Sequence, residues 1–521
     1  MATRSPRKQR WLRTALKTLL VLVVLLLAVL GVAYWYFSTA DAREPSRVAF
    51  AEHCAACHGT ELAGTERGPS LMRPLDDPRG EMARIAEQII DLHPEQDLDA
   101  WRASISSESI KAIALYVSER RQQWPATGTS KQLAFSESLV ESRHHRFRIE
   151  RVAALAGKPY SLEPLPDGRV LVAEKSRGLS LVEPNGQQRS PISGTPPAFD
   201  PLLNLGGNVL HLGSLLDVQR HPEFHQNGWI YLSHSHRCEA NCGTPWPKSM
   251  VRVVRGRIRE NQWVDEEIIW SVDPGYYTVV PDAVACGRLA FDDAGHVYVT
   301  VGGKAPYKHL HDLDTPYGKI HRVRDDGRVP EDNPFYLPAN QRDDGSTQHT
   351  VYSYGHRTVQ GLTAHPQNGT IWSTEMGPRG GDEINRIMNG QNYGWPLYTE
   401  GLGYNGKPIT IGTDLGLTFP RAATIAPVVD FSPAPAISNL TVYEGEAFPA
   451  WNGDFLVGSL KARTLYRVRV RNEVAIEVEK LATNVGRIRD VEVGSDGTVY
   501  IAVEQGESGL LLRMVPEAHS D

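Results

Sequence analysis

Short runs of alternating apolar and polar residues recur through the larger, C-terminal part of the chain, and each follows a turn that contains Asp or Asn and Gly. A tight turn followed by such alternation predicts a β-strand entered from a hairpin. The predicted strands are residues 169–173, 229–232, 296–300, 370–373, 454–457 and 498–501. Because no strong helical period separates them, the pattern predicts an all-β six-bladed propeller over residues 145–517. A double β-sandwich is the alternative architecture.

A smaller domain with helical periodicity precedes the propeller. Near the end of residues 45–122, apolar positions recur every three or four residues, which predicts an α-helix from Ser107 to Arg120. The recurring positions are Ile110, Ile113, Ala114 and Val117. The polar segment that follows, residues 123–144, contains proline, glycine and several serines and is predicted to be a linker.

An uncharged apolar run, residues 19–37, lies near the N-terminus. Its length is close to the ~20 residues that cross a bilayer, so it predicts a transmembrane anchor. The basic segment before it, residues 1–18, should stay in the cytoplasm. We therefore expect a single-pass protein of the bacterial inner membrane, with its large C-terminal part in the periplasm. The alternative is a signal peptide cleaved near Ala40-Asp41-Ala42, for which the apolar run is long.

Charge and cysteine content narrow the class of protein. The formal net charge is −6, which argues against nucleic acid as a partner. Among the five cysteines, Cys238 and Cys242 are close enough in sequence to form a disulfide in an oxidising compartment. Cys286 is expected to be a buried thiol.

The segment Cys54-Ala55-Ala56-Cys57-His58 has the C-x-x-C-H spacing of covalent haem attachment. Two thiols add to the two haem vinyl groups, and the adjacent histidine is placed to ligate the iron. A zinc half-site is the alternative, but no further Cys or His pair follows at zinc spacing. The motif therefore predicts haem c, held covalently by Cys54 and Cys57, with His58 on the iron.

The surrounding residues resemble a small class I cytochrome c domain, which implies the all-α fold expected for residues 45–122. Such domains usually supply a distal methionine before the last helix, but Leu98 stands at that place and cannot ligate iron. Met72, Met82 and His93 remain as alternative sixth ligands. The distal ligand, and with it the haem potential, stays open.

The propeller resembles the glucose/sorbosone dehydrogenase family of soluble quinoproteins, which use pyrroloquinoline quinone (PQQ). The resemblance extends over about residues 150 to 516. Four segments carry it together: residues 213–218 with His221-Pro222, residues 286–291, residues 354–357 with Gln360-Gly361-Leu362, and residues 377–385 with Asn392-Tyr393-Gly394-Trp395-Pro396.

The resemblance implies a set of cofactor and metal residues. PQQ is a planar tricarboxylate, so its site needs cations that pair with carboxylates or stack on planes. The family's cofactor positions correspond here to Arg357, Lys461, Arg487 and Arg489. The family's cofactor calcium corresponds to the backbone carbonyls of Gly377 and Pro378, since calcium takes hard oxygen ligands. A second calcium is implied less closely at Asp382 and Glu383.

Three positions on the reaction side depart from the family. Val284 stands where the family has the histidine that removes the sugar's hydroxyl proton, so no catalytic residue is assigned. Leu212 replaces a glutamine and Thr358 an asparagine. Other side chains that could supply a base from a different direction are His211, Asp282, His309 and His311.

Two functions follow from these patterns. In the first, the protein is a PQQ-dependent dehydrogenase of a sugar or other alcohol. It passes electrons to its own haem and then to a respiratory-chain acceptor at the membrane. In the second, only the cytochrome is redox-active and the propeller is a non-catalytic binding or docking module. The retained cations favour the first function, and the missing histidine favours the second.

Overall fold

The computed structural model describes most of the chain beyond residue 43. The described residues are 44–73, 77, 79–91, 105–122, 139–197, 201–205, 208–211, 214–238, 248–279, 286–303, 306–343 and 345–517, of which 201–205 and 208–211 are described by their backbone alone. The predicted anchor and the positions His93, Leu98, Leu212, Cys242, Asp282 and Val284 lie outside them. Within the described part of the chain, no helix is both long and apolar enough to cross a membrane.

Among the described residues, twenty-six strands make up the larger part of the structure. They are β1 (Val140–Glu141), β2 (Arg146–Leu155), β3 (Pro159–Pro164), β4 (Val170–Glu174), β5 (Gly178–Val182), β6 (Pro201–Leu205), β7 (Asn208–His211), β8 (Leu215–Arg220), β9 (Ile230–Arg237), β10 (Ser249–Arg259), β11 (Gln262–Trp270), β12 (Leu289–Phe291), β13 (His296–Val301), β14 (Lys319–Arg324), β15 (Val351–Tyr354), β16 (Val359–Ala364), β17 (Ile371–Glu375), β18 (Asp382–Ile387), β19 (Val429–Phe431), β20 (Ile437–Val442), β21 (Phe455–Ser459), β22 (Leu465–Arg471), β23 (Val474–Ala482), β24 (Arg487–Val493), β25 (Val499–Gln505) and β26 (Ser508–Pro516).

These strands form six antiparallel sheets arranged as blades, with β6 and β7 as a separate hairpin. In chain order, blade 1 is β3–β5, blade 2 is β8–β11, blade 3 is β12–β15, blade 4 is β16–β19 and blade 5 is β20–β23. Blade 6 joins both ends of the domain, because β2 pairs with β26 beside β25 and β24. This pairing closes the propeller without leaving an open edge between its first and last blades.

The first strand of each blade lies innermost. The strands β3, β8, β12, β16, β20 and β24 each contact the next, and β24 contacts β3, so they form a closed ring. A double sandwich has no such ring, and the six-bladed propeller predicted from the sequence is therefore confirmed.

The repeated turns enter the second strand of each blade. Their glycines all have positive φ, from 66° at Gly369 to 83° at Gly168, a conformation in which a Cβ is strained. This requirement explains why the turn residues stand out in the sequence at each blade. The remaining turns of this set contain Gly228, Gly295, Gly453 and Gly497.

Helices occupy the N-terminal part of the described chain. They are α1 (Pro45–His53), α2 (Ala55–His58), α3 (Glu81–Asp91) and α4 (Ser107–Gln122), with two single-turn helices in the propeller, α5 (Phe224–Asn227) and α6 (Ile411–Asp414). Short 3₁₀ turns are Pro274–Tyr276, Tyr307–His309, Ala339–Gln341, Gln348–Thr350, Arg421–Ala423 and Pro449–Trp451. The N-terminal helices enclose an apolar cluster that includes Phe50, Ile85 and Leu115, and Leu402 of the propeller packs into the same cluster.

The helical part is also hydrogen-bonded to the propeller through its backbone. The amide of Gly80 donates to the carbonyl of Asp430 at 3.1 Å, and the amide of Met82 donates to the carbonyl of Ser432 at 2.9 Å. Burial of shared apolar surface and backbone pairing both stabilise this contact. The sheet of blade 6 begins at β1, within the segment that the sequence predicts as a linker.

Candidate functional site

The predicted cofactor residues lie at one end of the propeller channel. Each blade starts with its inner strand, so every inner strand begins at the same end, which we call the upper mouth. Arg357 lies just before β16, while Arg487 and Arg489 lie at the start of β24. The loops between second and third strands return to this end, and they carry Gly377, Pro378 and Lys461.

Arg357 is fixed by the loop that follows β17. Its guanidinium donates to the carbonyls of Met376 at 2.8 Å and Gly377 at 3.0 Å, and the side chain is 6% exposed. The guanidinium carbon lies 5.2 Å from the centre of the Trp395 ring, which is within cation–π range. Arg357 Nε and Thr358 Oγ1 are buried and have no hydrogen-bond partner among the described residues. These orphaned polar atoms mark a place for a polar ligand.

Arg487 and Arg489 share one carboxylate. Glu504 accepts from Arg487 Nε at 3.1 Å and from Arg489 Nε at 2.7 Å. Arg489 Nη1 also donates to Gln360 Oε1 at 3.0 Å, which ties blade 6 to the inner strand of blade 4. Burial alone would raise the pKa of Glu504, but surrounding cations, with Arg489 foremost, lower it to about 2. Glu504 is therefore ionised at neutral pH.

Lys461 and Arg379 are joined by a residue of the helical part. The carboxylate of Glu119, in α4, lies 3.3 Å from Lys461 Nζ and 2.6 Å from Arg379 Nη2. Arg379 also binds Glu44 at 2.6 Å. Since Arg379 is in the loop that binds Arg357, these contacts place the helical part against the upper mouth.

A buried ion-pair cluster forms the floor beneath these groups. Arg288, 1% exposed, lies 2.9 Å from Asp490 and 3.2 Å from Asp217. Its guanidinium carbon is 4.6 Å from the centre of the Tyr160 ring. Asp490 and Asp217 also accept backbone amides of blades 1 and 3, so the cluster fixes four inner strands, β3, β8, β12 and β24, relative to one another.

The two carboxylates predicted to bind a second calcium have different neighbours: Asp382 accepts backbone amides, whereas Glu383 lies near another carboxylate. Asp382 is 1% exposed and accepts the amides of Gly377 and Ile437, each at 2.9 Å. Burial raises the pKa of Asp382 to about 7. Burial, followed by the nearby carboxylate of Glu375, raises the pKa of Glu383. No cluster of three or more His, Cys, Asp or Glu side chains in the described ranges could hold a metal ion, and this second calcium stays a prediction.

Two of the histidines proposed as alternative bases lie in the loop between β13 and β14. His311 Nε2 is 2.8 Å from the carbonyl of Trp395, whose ring faces Arg357. Burial lowers the pKa of His311, so its ring is neutral at physiological pH. His309 lies 3.8 Å from Asp312 and is about one third exposed. His311 thus lies in a loop at the upper mouth and is hydrogen-bonded to Trp395, whose ring faces Arg357.

The C-x-x-C-H segment consists of Cys54 and the whole of α2, for which Cys54 is the N-cap. Cys54 and Cys57 are free thiols, and burial, together with the neighbouring Cys57, raises the pKa of Cys54 to about 11. His58 is 9% exposed, and its Nδ1 lies 2.8 Å from the carbonyl of Pro69. A proton on Nδ1 places the ring's lone pair on Nε2, which is the tautomer needed for ligation through Nε2. Met82 is buried in the helical cluster, and Met72 and Cys54 are partly buried against the same cluster.

Several site residues carried no signal in the sequence. Glu504, which orders two predicted cations, lies in an ordinary strand pattern, and Glu119 lies on a helix far away in the chain. Arg379 stands within the segment 377–385 that supported the resemblance, but its bond to the helical part could not be anticipated. Cys238 is disulfide-bonded, and its predicted partner lies outside the described residues.

Comparisons with known proteins show the family of the chain. The family model described as Glucose / Sorbosone dehydrogenase matches residues 156–513. Aldose sugar dehydrogenase YliI of Escherichia coli (strain K12) is 31% identical over 362 residues, covering 69% of this chain and 90% of that protein. Quinoprotein glucose dehydrogenase B of Acinetobacter calcoaceticus is 24% identical, covering 69% and 86% respectively. The crystal structure of the soluble aldose sugar dehydrogenase from Escherichia coli in its apo-form has a TM-score of 0.61 at 30% identity, covering 71% of this chain and 100% of that one. This chain belongs to the glucose/sorbosone dehydrogenase family.

Proposed function

We propose that this protein is a PQQ-dependent dehydrogenase that oxidises a sugar or other alcohol and passes the electrons to a c-type haem in its own N-terminal part. The observation that carries the proposal is that the four predicted cofactor cations lie at the same mouth of the propeller. They are Arg357, Lys461, Arg487 and Arg489. The relatives named as an aldose sugar dehydrogenase and a quinoprotein glucose dehydrogenase support it.

The residues present suit a planar polyanion. The guanidinium of Arg357 lies against the Trp395 ring and keeps a buried, unpartnered Nε. Arg487 and Arg489 supply further donors, and Lys461 supplies a point charge from a loop of the neighbouring blade 5. Carboxylates pair well with guanidinium groups because two parallel N–H···O bonds can form. PQQ, when bound, would accept a hydride, which carries both electrons, from the carbon that bears the substrate's hydroxyl.

The proposed calcium depends on the cofactor. The carbonyl of Gly377 already accepts from Arg357 at 3.0 Å, so a cation bound to this oxygen would face a guanidinium. Two positive charges at such a distance repel each other unless an anion lies between them. We therefore place calcium at Gly377 and Pro378 only together with a bound tricarboxylate, where it would polarise the quinone.

The chain's own residues would orient the substrate and take its proton. With valine at the family's base position, His311 is our candidate for the general base, because its ring is neutral and it is bonded to Trp395. Its Nε2 donates to the carbonyl, which leaves Nδ1 as the proton acceptor. Sugar oxidation releases two electrons and a haem iron takes one, so the haem must be reoxidised twice for each substrate molecule.

The N-terminal part supports the electron-transfer half of the proposal. Its two free thiols, its histidine tautomer and its helical core suit covalent haem c. The bonds from Glu44 and Glu119 to Arg379 hold this part at the upper mouth, which would bring haem and quinone close together. The membrane anchor would then keep the protein in the periplasm, beside a respiratory-chain acceptor.

One contact favours the second candidate function, in which the propeller is a non-catalytic docking module. The carboxylate of Glu119 already binds Lys461, one of the four predicted cofactor cations. In this function the cations of the upper mouth serve to hold the cytochrome part. The two functions differ in whether the propeller binds PQQ at all.

Calorimetry of PQQ binding in the presence of calcium tests the proposed function. We expect wild-type protein to bind PQQ, and Lys461→Glu and Arg487→Glu to bind it at least about a hundredfold more weakly. A charge-assisted bond is worth about 1.5–3 kcal/mol, and charge reversal adds repulsion. Lys111→Glu, on the exposed surface of α4, is the matched control and should bind as wild type does. Wild-type protein that binds no PQQ would favour the docking module.

A further inference from the structure

Two lysines of blade 1 lie at the same mouth and belong to no set of residues considered so far. Lys158 directly precedes the inner strand β3, and Lys175 directly follows β4. The amide of Lys175 donates to the carbonyl of Lys158 at 2.9 Å, so the two loops are joined. Both side chains are half-buried.

Their positions repeat those of the predicted cofactor cations on other blades. Lys158 stands before its inner strand as Arg357 stands before β16. Lys175 stands in the loop between second and third strands, as Lys461 does in blade 5. Because all blades share one strand order, residues at equivalent positions point toward the same end of the channel.

These lysines share their surroundings with Arg487 and Arg489. Lys175 Nζ lies 5.0 Å from the centre of the Tyr160 ring, and the guanidinium carbon of Arg489 lies 5.5 Å from the same centre. Besides the two arginines, the positive charges of Lys158 and Lys175 also lower the pKa of Glu504. Four cations thus surround this single carboxylate, and the surplus positive charge attracts a further anion.

We propose that Lys158 and Lys175, beside the predicted cofactor residues Arg487 and Arg489, form an anion subsite at the upper mouth that binds a carboxylate. The carboxylate comes either from the cofactor or from an acidic sugar such as a uronic acid, which would then be the substrate class. This inference rests on the proposed function for its choice of ligands. The existence of the subsite can be measured without turnover.

The test compares wild-type protein with the double variant Lys158→Gln/Lys175→Gln and with Lys158→Arg/Lys175→Arg, which keeps both charges. PQQ binding is measured by calorimetry with calcium present. Turnover of glucose and of glucuronate by the PQQ-loaded protein is measured with an external dye as acceptor. Thermal melting confirms that each variant is folded, and Lys111→Gln is the control for loss of a remote lysine.

If a carboxylate of the cofactor occupies the subsite, the glutamine variant should bind PQQ at least about tenfold more weakly than wild type, because two charge-assisted contacts are lost. If a carboxylate of the substrate occupies the subsite, the glutamine variant should keep the PQQ affinity of wild type. Its KM should then rise about tenfold or more for glucuronate but not for glucose. The arginine variant should restore either value. Equal PQQ affinity and equal KM values in wild type and glutamine variant would overturn the proposal.

Failure of the proposed function gives a different pattern. If wild-type protein binds no PQQ, calorimetry with glucuronate alone tests the subsite. Binding that is lost in the glutamine variant and kept in the arginine variant supports it, and absence of binding overturns it.

Discussion

Glu119 of the helical part and Lys461 of the propeller form an ion pair with 3.3 Å between carboxylate oxygen and ammonium nitrogen. The same carboxylate binds Arg379 at 2.6 Å. One acidic side chain therefore connects the predicted cytochrome to a cation that the proposed cofactor requires. Docking of the helical part and loading of the cofactor should consequently influence each other.

Removal of this carboxylate should make Lys461 available to the cofactor. We expect Glu119→Gln to bind PQQ a few times more tightly than wild type, since a partly exposed ion pair is worth about 0.2–1 kcal/mol. Calorimetry measures the change, and Glu108→Gln on the same helix is the control. Unchanged affinity in Glu119→Gln would show that Lys461 and the cofactor do not meet.

The ion pairs of Glu504 should give a pH-dependent contribution to stability. We expect Glu504→Gln to lower the free energy of unfolding at pH 7 by about 3 kcal/mol, because breaking a buried ion pair leaves charges without a partner. The folded pKa of Glu504 is lowered from 4.5 to about 2, so this contribution is fully present above pH 4.5 and is lost as the pH falls toward 2.

Urea unfolding of both proteins at pH 7, 5 and 3.5 measures this dependence. The difference in unfolding free energy should be equal at pH 7 and 5 and about 1 kcal/mol smaller at pH 3.5. A difference that grows as the pH falls would contradict the ionised state assigned to Glu504.

Valine at position 284 should limit aldose oxidation. General-base catalysis contributes about 10²–10⁴-fold, so Val284→His should raise the rate toward that factor and leave PQQ affinity unchanged. With the introduced imidazole as base, the rate should rise as the pH increases through about 6.5.

If wild-type protein already oxidises aldoses rapidly, His311, our candidate base, fully replaces the family's histidine. In that case His311→Ala should abolish turnover, and the lowered pKa of His311 predicts a wild-type rate that falls only at a pH below the usual range for histidine. His309→Ala distinguishes the two histidines. Full activity of both alanine variants would exclude them as the base.

The haem assignment predicts a defined spectroscopic result. His58→Ala should lose iron ligation, since His58 is the histidine that the C-x-x-C-H motif assigns to the iron. Cys54→Ala/Cys57→Ala should lose covalent haem staining in denaturing gels. We expect no methionine–iron band near ~695 nm, because the usual methionine position holds leucine. A wild-type spectrum in His58→Ala would disprove the assignment.

The sequence pattern was sufficient to predict the blades but not their closure. Turns such as Asn452-Gly453 mark second strands because positive φ requires glycine there. Inner strands such as β3 are buried along their whole length, so they show no alternation that a pattern could reveal. The pairing of β2 with β26 joins segments more than 300 residues apart and leaves no local signal.

The site was predictable to a smaller extent. Resemblance to a family predicts a cofactor role for Arg357, Lys461, Arg487 and Arg489. The structure has all four at one mouth, and their role stays a prediction. The partners of these cations could not be predicted, because Glu119 and Glu504 have the spacing of ordinary surface and strand residues. Charge balance around a site depends on contacts between distant segments, which only the folded chain defines.

Oxidation of a sugar in the propeller should reduce the haem of the same molecule. Stopped-flow absorbance of the PQQ- and calcium-loaded protein, mixed with aldoses or alcohols without an external acceptor, measures it directly. We expect haem reduction with a rate constant that does not depend on protein concentration, and we expect this reduction to be lost in Arg487→Glu. Bound PQQ without haem reduction by any of these substrates would contradict it.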